Sequence, residues 1–157
     1  MRKKIIIFLI LLLMFQIPTN HHAYEDIDIT KALVVEPYIP PEKSREELYQ
    51  DIFITLLLPY IQAEVDKYYE EYLFTSPTVA PYDVIILDAE RLNEYRGFDF
   101  RLKIELHPYI GPHNDVGLDY ITIRVSPTVN VKIEKFEHIR SYELPPNYQD
   151  LIKKKLP

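Results

Sequence analysis

The sharpest pattern in the chain runs from residue 98 to 107. Phe98, Phe100, Leu102, Ile104 and Leu106 alternate with Asp99, Arg101, Lys103, Glu105 and His107. A period of two means a strand with one buried and one wet face. Ile121, Ile123 and Val125 repeat it against Tyr120, Thr122 and Arg124. Val129, Val131 and Ile133 begin a further strand whose phase slips by one residue at Phe136, which predicts a β-bulge near Glu134-Lys135. Ser126-Pro127-Thr128 is the short hairpin connection between these two strands. The apolar run Val84–Leu87 predicts the first strand, ahead of all of them.

Before the strands the period is helical. Ser44-Arg45-Glu46-Glu47 is a capping box, with Ser44 as N-cap. Leu48, Ile52, Leu56, Tyr60 and Ala63 follow at spacings of three and four, which predicts the apolar face of a helix. Val65, Tyr68, Tyr69, Tyr72 and Leu73 continue it more loosely. Pro59 interrupts, and an interior proline costs about 3 kcal/mol. Two readings follow: one kinked helix over 44–73, or two helices meeting at Leu58-Pro59. Ser76–Pro81 ends the helical part, and a short helix over 147–155 follows Pro145-Pro146. The fold class is therefore α+β: a long kinked N-terminal helix packed on a four-stranded antiparallel sheet. By analogy this is a cystatin-like or NTF2-like layout.

The N-terminus follows a different plan. Arg2, Lys3 and Lys4 precede an unbroken apolar run from Ile5 to Phe15, and Ala23 is a small residue at a cleavage position. That is a secretory signal; the run is too short to span a bilayer, which takes about 20 residues. The organisation is a signal peptide over 1–23, an extended leader over 24–43 rich in Pro37, Pro40 and Pro41, and one domain over 44–157. The expected location is extracellular, with an N-terminal membrane anchor as the alternative where the signal is not cleaved.

Composition narrows the chemistry. The 157 residues are 47% hydrophobic and 27% charged, a globular balance. The chain has no cysteine, so an exported domain of this kind is held by packing rather than disulfides. Once residues 1–23 leave with their three basic groups, 15 Lys and Arg face 24 Asp and Glu, a net charge near −9. Such a surface repels nucleic acid and anionic membranes. No phosphate-cradling glycine loop or dinucleotide fingerprint is present, and no serine lies in a nucleophile elbow.

Two of the three glycines, Gly111 and Gly117, fall in one loop over 108–119, with Pro108 and Pro112 beside them. A glycine-poor chain that places glycine there needs unusual backbone angles there. The loop presents His113, Asn114, Asp115 and Asp119, with His107 arriving from the preceding strand. In one reading His113 with Asp115 or Asp119 holds a metal or works as an acid–base pair. In the other the loop is a structural turn whose carboxylates bond to their own backbone. The spacing matches no established metal pattern, so no metal or other cofactor is expected. The polar sheet face (Arg101, Lys103, Glu105, Tyr120, Thr122, Arg124, Lys132) is a second candidate that could bind a peptide or glycan, and the favoured reading is a solvated surface with cross-strand ion pairs.

Three segments carry a family resemblance: Leu56-Leu57-Leu58-Pro59-Tyr60-Ile61, Pro108-Tyr109-Ile110-Gly111-Pro112-His113 with Val116-Gly117 and Asp119, and Phe136-Glu137-His138-Ile139. Over about residues 44–140 the chain resembles the domain-of-unknown-function family 3888. The resemblance implies a small exported protein of spore-forming Gram-positive bacteria. It implies no activity, cofactor or catalytic residue. The expectation from sequence is a secreted, non-enzymatic binding or interaction domain whose functional edge is the 108–119 loop. Its partner would be a protein, peptide or glycan. The alternative is a metal-dependent or acid–base hydrolase using that loop.

Overall fold

The computed structural model describes residues 37–157. The expected signal peptide, and the leader up to residue 36, lie outside the described residues. From Pro37 the chain passes through a turn closed by Ser44 N–H to the Pro41 carbonyl and enters helix α1, Arg45–Tyr69. Ser44 caps it by accepting the Glu47 amide at 3.0 Å. The helix is one continuous element with Pro59 inside it, which excludes the two-helix reading, and it ends at Tyr69, four residues before the expected limit. Lys153 Nζ donates to the Glu70 carbonyl at 2.8 Å, so a cation satisfies this helix C-terminus.

Strands follow as β1 Ile85–Arg91, β2 Phe100–Leu106, β3 Tyr109–Ile110, β4 Asn114–Asp115, β5 Gly117–Ser126 and β6 Asn130–Ser141. Four of them form an antiparallel sheet in the order β1-β2-β5-β6, and β3-β4 make a separate hairpin. The expected α+β class and four-stranded antiparallel sheet are present. The tail forms a 3-10 turn over Pro146–Leu151, not a helix reaching residue 155.

The alternation in β2 and β5 is obeyed. Leu102, Ile104, Leu106, Ile121 and Ile123 are buried, while Arg101, Lys103, Glu105 and Thr122 take the other face. Phe98 lies before the strand and is exposed. The bulge falls where the phase slip put it: Thr122 pairs with Lys135 and Ile123 with Ile133, leaving Glu134 over. The polar face carries the anticipated ion pairs: Arg101 with Glu90 and Glu134, and Arg124 with Asp99.

The helix face is the main correction. The side chains turned to the sheet are Ile54, Leu57, Ile61, Val65 and Tyr69. Leu48, Ile52, Leu56 and Tyr60, expected inside, are 53%, 50%, 67% and 45% exposed. Both rows keep helical spacing, because residues 48–63 contain only one charged side chain, Asp51. A helix apolar on all sides gives periodicity no contrast to work with. Polar ties fix the orientation instead. Gln62 donates to the Pro77 carbonyl at 2.8 Å and accepts the Val79 amide at 2.9 Å, which pins α1 to the segment leading to the sheet.

Candidate functional site

The loop residues separate into two places. Gly111, Pro112 and His113 are the exposed tip of the β3-β4 hairpin, in which Tyr109 pairs with Asp115 and Ile110 with Asn114. Thr78 and Tyr109 exchange backbone hydrogen bonds at 2.8 and 3.0 Å and anchor the hairpin. Asn114 donates its side-chain amide to the Ile110 carbonyl at 3.1 Å, bracing the turn. Gly111 has φ +61°, and a methyl group there would also run into the Tyr148 ring. His113 takes φ 60°, a left-handed conformation uncommon outside glycine. Its ring lies 4.7 Å from that of Tyr109, and its Nδ1 is 3.3 Å from the exposed Tyr82 hydroxyl. His107 pairs with Glu105 at 3.1 Å. Asp119 shares no hydrogen bond with His107, His113 or Asp115. Among the described residues no three His, Asp or Glu side chains converge as metal ligands.

Asp119 lies in the core, and alternation puts it there. On β5 it shares a face with Ile121, Ile123 and Val125, and it is fully buried. A carboxylate among apolar side chains must find hydrogen-bond donors. The Tyr69 hydroxyl donates to Oδ2 at 2.8 Å, and His138 Nδ1 lies 2.6 Å from Oδ1. Burial raises the Asp119 carboxyl above its ordinary range, opposed by the bonds from His138 and Tyr69. Burial first, then the neighbouring Asp119, raises the Tyr69 phenol strongly. The His138 ring stacks on Tyr68 at 5.2 Å and meets Tyr69 edge-on at 6.1 Å, which fixes its plane.

The other side of the imidazole reaches outward. His138 Nε2 is 2.7 Å from Ser141 Oγ, and Ser141 donates to the main-chain oxygen of Pro157 at 2.8 Å. Residues three apart on a regular strand face opposite sides. A second bulge removes that obstacle: Asp119 pairs with His138 but Leu118 pairs with Arg140, leaving Ile139 over. His138 therefore faces the same side as Ser141, whose own partner is Gly117. Gly117 is glycine for space. A Cβ there would overlap the Tyr69 hydroxyl and come within 2.9 Å of both the Arg140 carbonyl and the His138 ring. It does not adopt the positive φ of Gly111, so the expectation of unusual angles holds at only one of the two loop glycines.

Ser141 opens on a groove of about 710 Å³ lined by Tyr142, Leu144, Ile152, Lys155 and Leu156 among others. Sequence reasoning did not single out Tyr69, His138 and Ser141 as a site, since they come from α1 and one end of β6. A signal existed for Asp119: it keeps the parity of Ile121 and Ile123, and a carboxylate on a buried face demands a partner.

Fold and site together define a helix-on-sheet α+β domain with a buried carboxylate–histidine pair that ends on a serine at the surface. The chain belongs to the family described as Protein of unknown function (DUF3888), which matches residues 49–140. Tyr69, Asp119 and His138 fall within the match, and Ser141 is one residue past it. Comparison with curated proteins and with solved structures gives no match.

Proposed function

We propose that this chain is an exported interaction domain that docks a partner protein along the outer face of α1. The carrying observation is the uncovered row Leu48, Ile52, Leu56 and Tyr60, on a stretch of 16 residues with one charge. Contiguous exposed apolar surface of this kind marks an interaction site. The row runs about 18 Å along the helix axis. Its i, i+4 spacing forms a ridge that suits the grooves of a second helix, so the partner chemistry is an amphipathic helix presenting its own apolar stripe. No described helix is long and apolar enough to cross a membrane. The acidic balance argues against nucleic acid and against anionic lipid as the occupant.

The basic patch and apolar run of residues 2–15 support export, and the order of helix and sheet supports a cystatin-like layout. The hairpin tip is a second recognition edge in this reading. His113, Asn114 and Asp115, with Tyr82 and Tyr109 alongside, offer a peptide or glycan an aromatic face held by a strained backbone.

A photo-crosslinking residue placed at Leu56, and separately at Lys132 on the outward sheet face, tests the docking in cells making the full chain. A discrete protein adduct from position 56 that Ile52→Glu abolishes is the expected result. Equal adducts from both positions, or none from 56, sink the reading; an adduct of twice the chain mass identifies a second copy instead.

A further inference from the structure

We infer that Ser141 is a nucleophile for acyl esters, activated by His138 and Asp119 and masked in this structure by the chain's own Pro157. The inference stands on hydrogen-bond geometry and does not depend on the docking surface of α1. Ser141 Oγ, His138 Nε2, His138 Nδ1 and Asp119 Oδ1 follow in sequence at 2.7 Å across the first gap and 2.6 Å across the second. A hydroxyl bonded to an imidazole whose far nitrogen is held by a buried carboxylate defines an activated serine by roles, whatever the fold. The Tyr69 hydroxyl on the other oxygen of Asp119, and the Tyr68 ring stacked on His138, leave the base one orientation.

The Pro157 contact decides the resting state. Ser141 has one proton, and Pro157 oxygen accepts it. His138 Nε2 must then be the donor to Ser141 Oγ, and a protonated Nε2 is no base. When the tail leaves, Nε2 gives its proton to water, the hydroxyl turns its own proton onto the freed Nε2, and the Asp119 carboxylate accepts from Nδ1. The groove beside Ser141 has Leu156 and Pro157 of the tail as part of its wall, and Leu144, Ile152 and Tyr142 line it as well, which suits an apolar acyl chain. Lys155 lines the same groove and makes no ion pair among the described residues, leaving a cation to meet the oxyanion.

The reaction balances with water as co-reactant. Ser141 Oγ attacks the ester carbonyl carbon while its proton moves to His138 Nε2. The tetrahedral adduct expels the alkoxide, which takes that proton and leaves as the alcohol. Water then attacks the acyl-serine and gives a proton to Nε2. The released Ser141 oxygen takes it back as the carboxylic acid departs.

The test is labelling by a long-chain alkyl fluorophosphonate, read by intact mass and peptide mapping. Three chains are compared: the full chain, one lacking Leu156 and Pro157, and the latter with Ser141→Ala. The expected result is a single adduct on Ser141, formed at least ten-fold faster without the tail and absent in S141A. His138→Gln in the shortened chain should slow it by more than ten-fold. No adduct on the folded shortened chain, or one that survives S141A, overturns the nucleophile. Equal rates with and without the tail overturn the mask. Should shortening unfold the protein, Leu156→Asp in the full chain releases the tail from the apolar groove and carries the same expectations.

Discussion

Tyr69, Gly117 and Asp119 meet at one point, and a double-mutant cycle measures whether they do so in solution. Gly117→Ala forces a methyl group into the volume held by the Tyr69 hydroxyl. Overpacking a filled core costs about 1–3 kcal/mol. Tyr69→Phe removes the donor to Asp119 Oδ2, and a bond to a charged group contributes about 1.5–3 kcal/mol. Were the sites independent, the pair would lose the sum, about 2.5–6 kcal/mol. They are not independent: once the hydroxyl is gone, the methyl takes its place. The Arg140 carbonyl and the His138 ring still lie 2.9 Å from the new Cβ, so relief is partial. The double variant should therefore be about 1–2 kcal/mol more stable than the sum implies, within the range seen for touching residues. Urea unfolding followed by far-UV circular dichroism and tyrosine emission suits a chain with 13 tyrosines and no tryptophan. Additivity within about 0.5 kcal/mol would refute the packing of Tyr69 against Gly117.

Two further outcomes follow from the site and the hairpin. Burial raises the Asp119 carboxyl above 3.8, so the native state holds that proton to higher pH than the unfolded chain does. The stability of the wild type relative to Asp119→Asn should then fall as pH climbs from 3.8 through the raised value, and level off above it. Urea unfolding of both chains between about pH 3 and about pH 7 reads this, and a relative stability that rises over the window contradicts it. At the hairpin, Gly111→Ala should lower stability by at least about 1–2 kcal/mol, since a left-handed side chain costs that much before the overlap with Tyr148. His113→Gly should raise the melting temperature by relieving φ 60° at the same turn. A lower melting temperature for His113→Gly would show that its packing on Tyr109 outweighs the strain.

The sequence by itself determined whatever depends on neighbours along the chain. Alternation at Leu102–Leu106 and Ile121–Val125 specifies strands and their buried faces, because side chains on a strand alternate whatever the strand pairs with. The phase slip at Phe136 locates the Glu134 bulge for the same reason, and Ser44 with Glu47 marks the helix start through bonds that span one turn. Tertiary structure decided the rest. Which side of α1 meets the sheet depends on Gln62 reaching Pro77 and Val79 and on Tyr69 reaching Asp119, contacts between residues far apart in sequence. The Asp119–His138–Ser141 chain depends on a cross-strand register and on the unpaired Ile139, which reverses the parity of every residue after it. Local pattern carries periodicity; it does not carry which strand lies alongside or where a neighbour's bulge falls, and those two facts place a carboxylate, an imidazole and a hydroxyl in line.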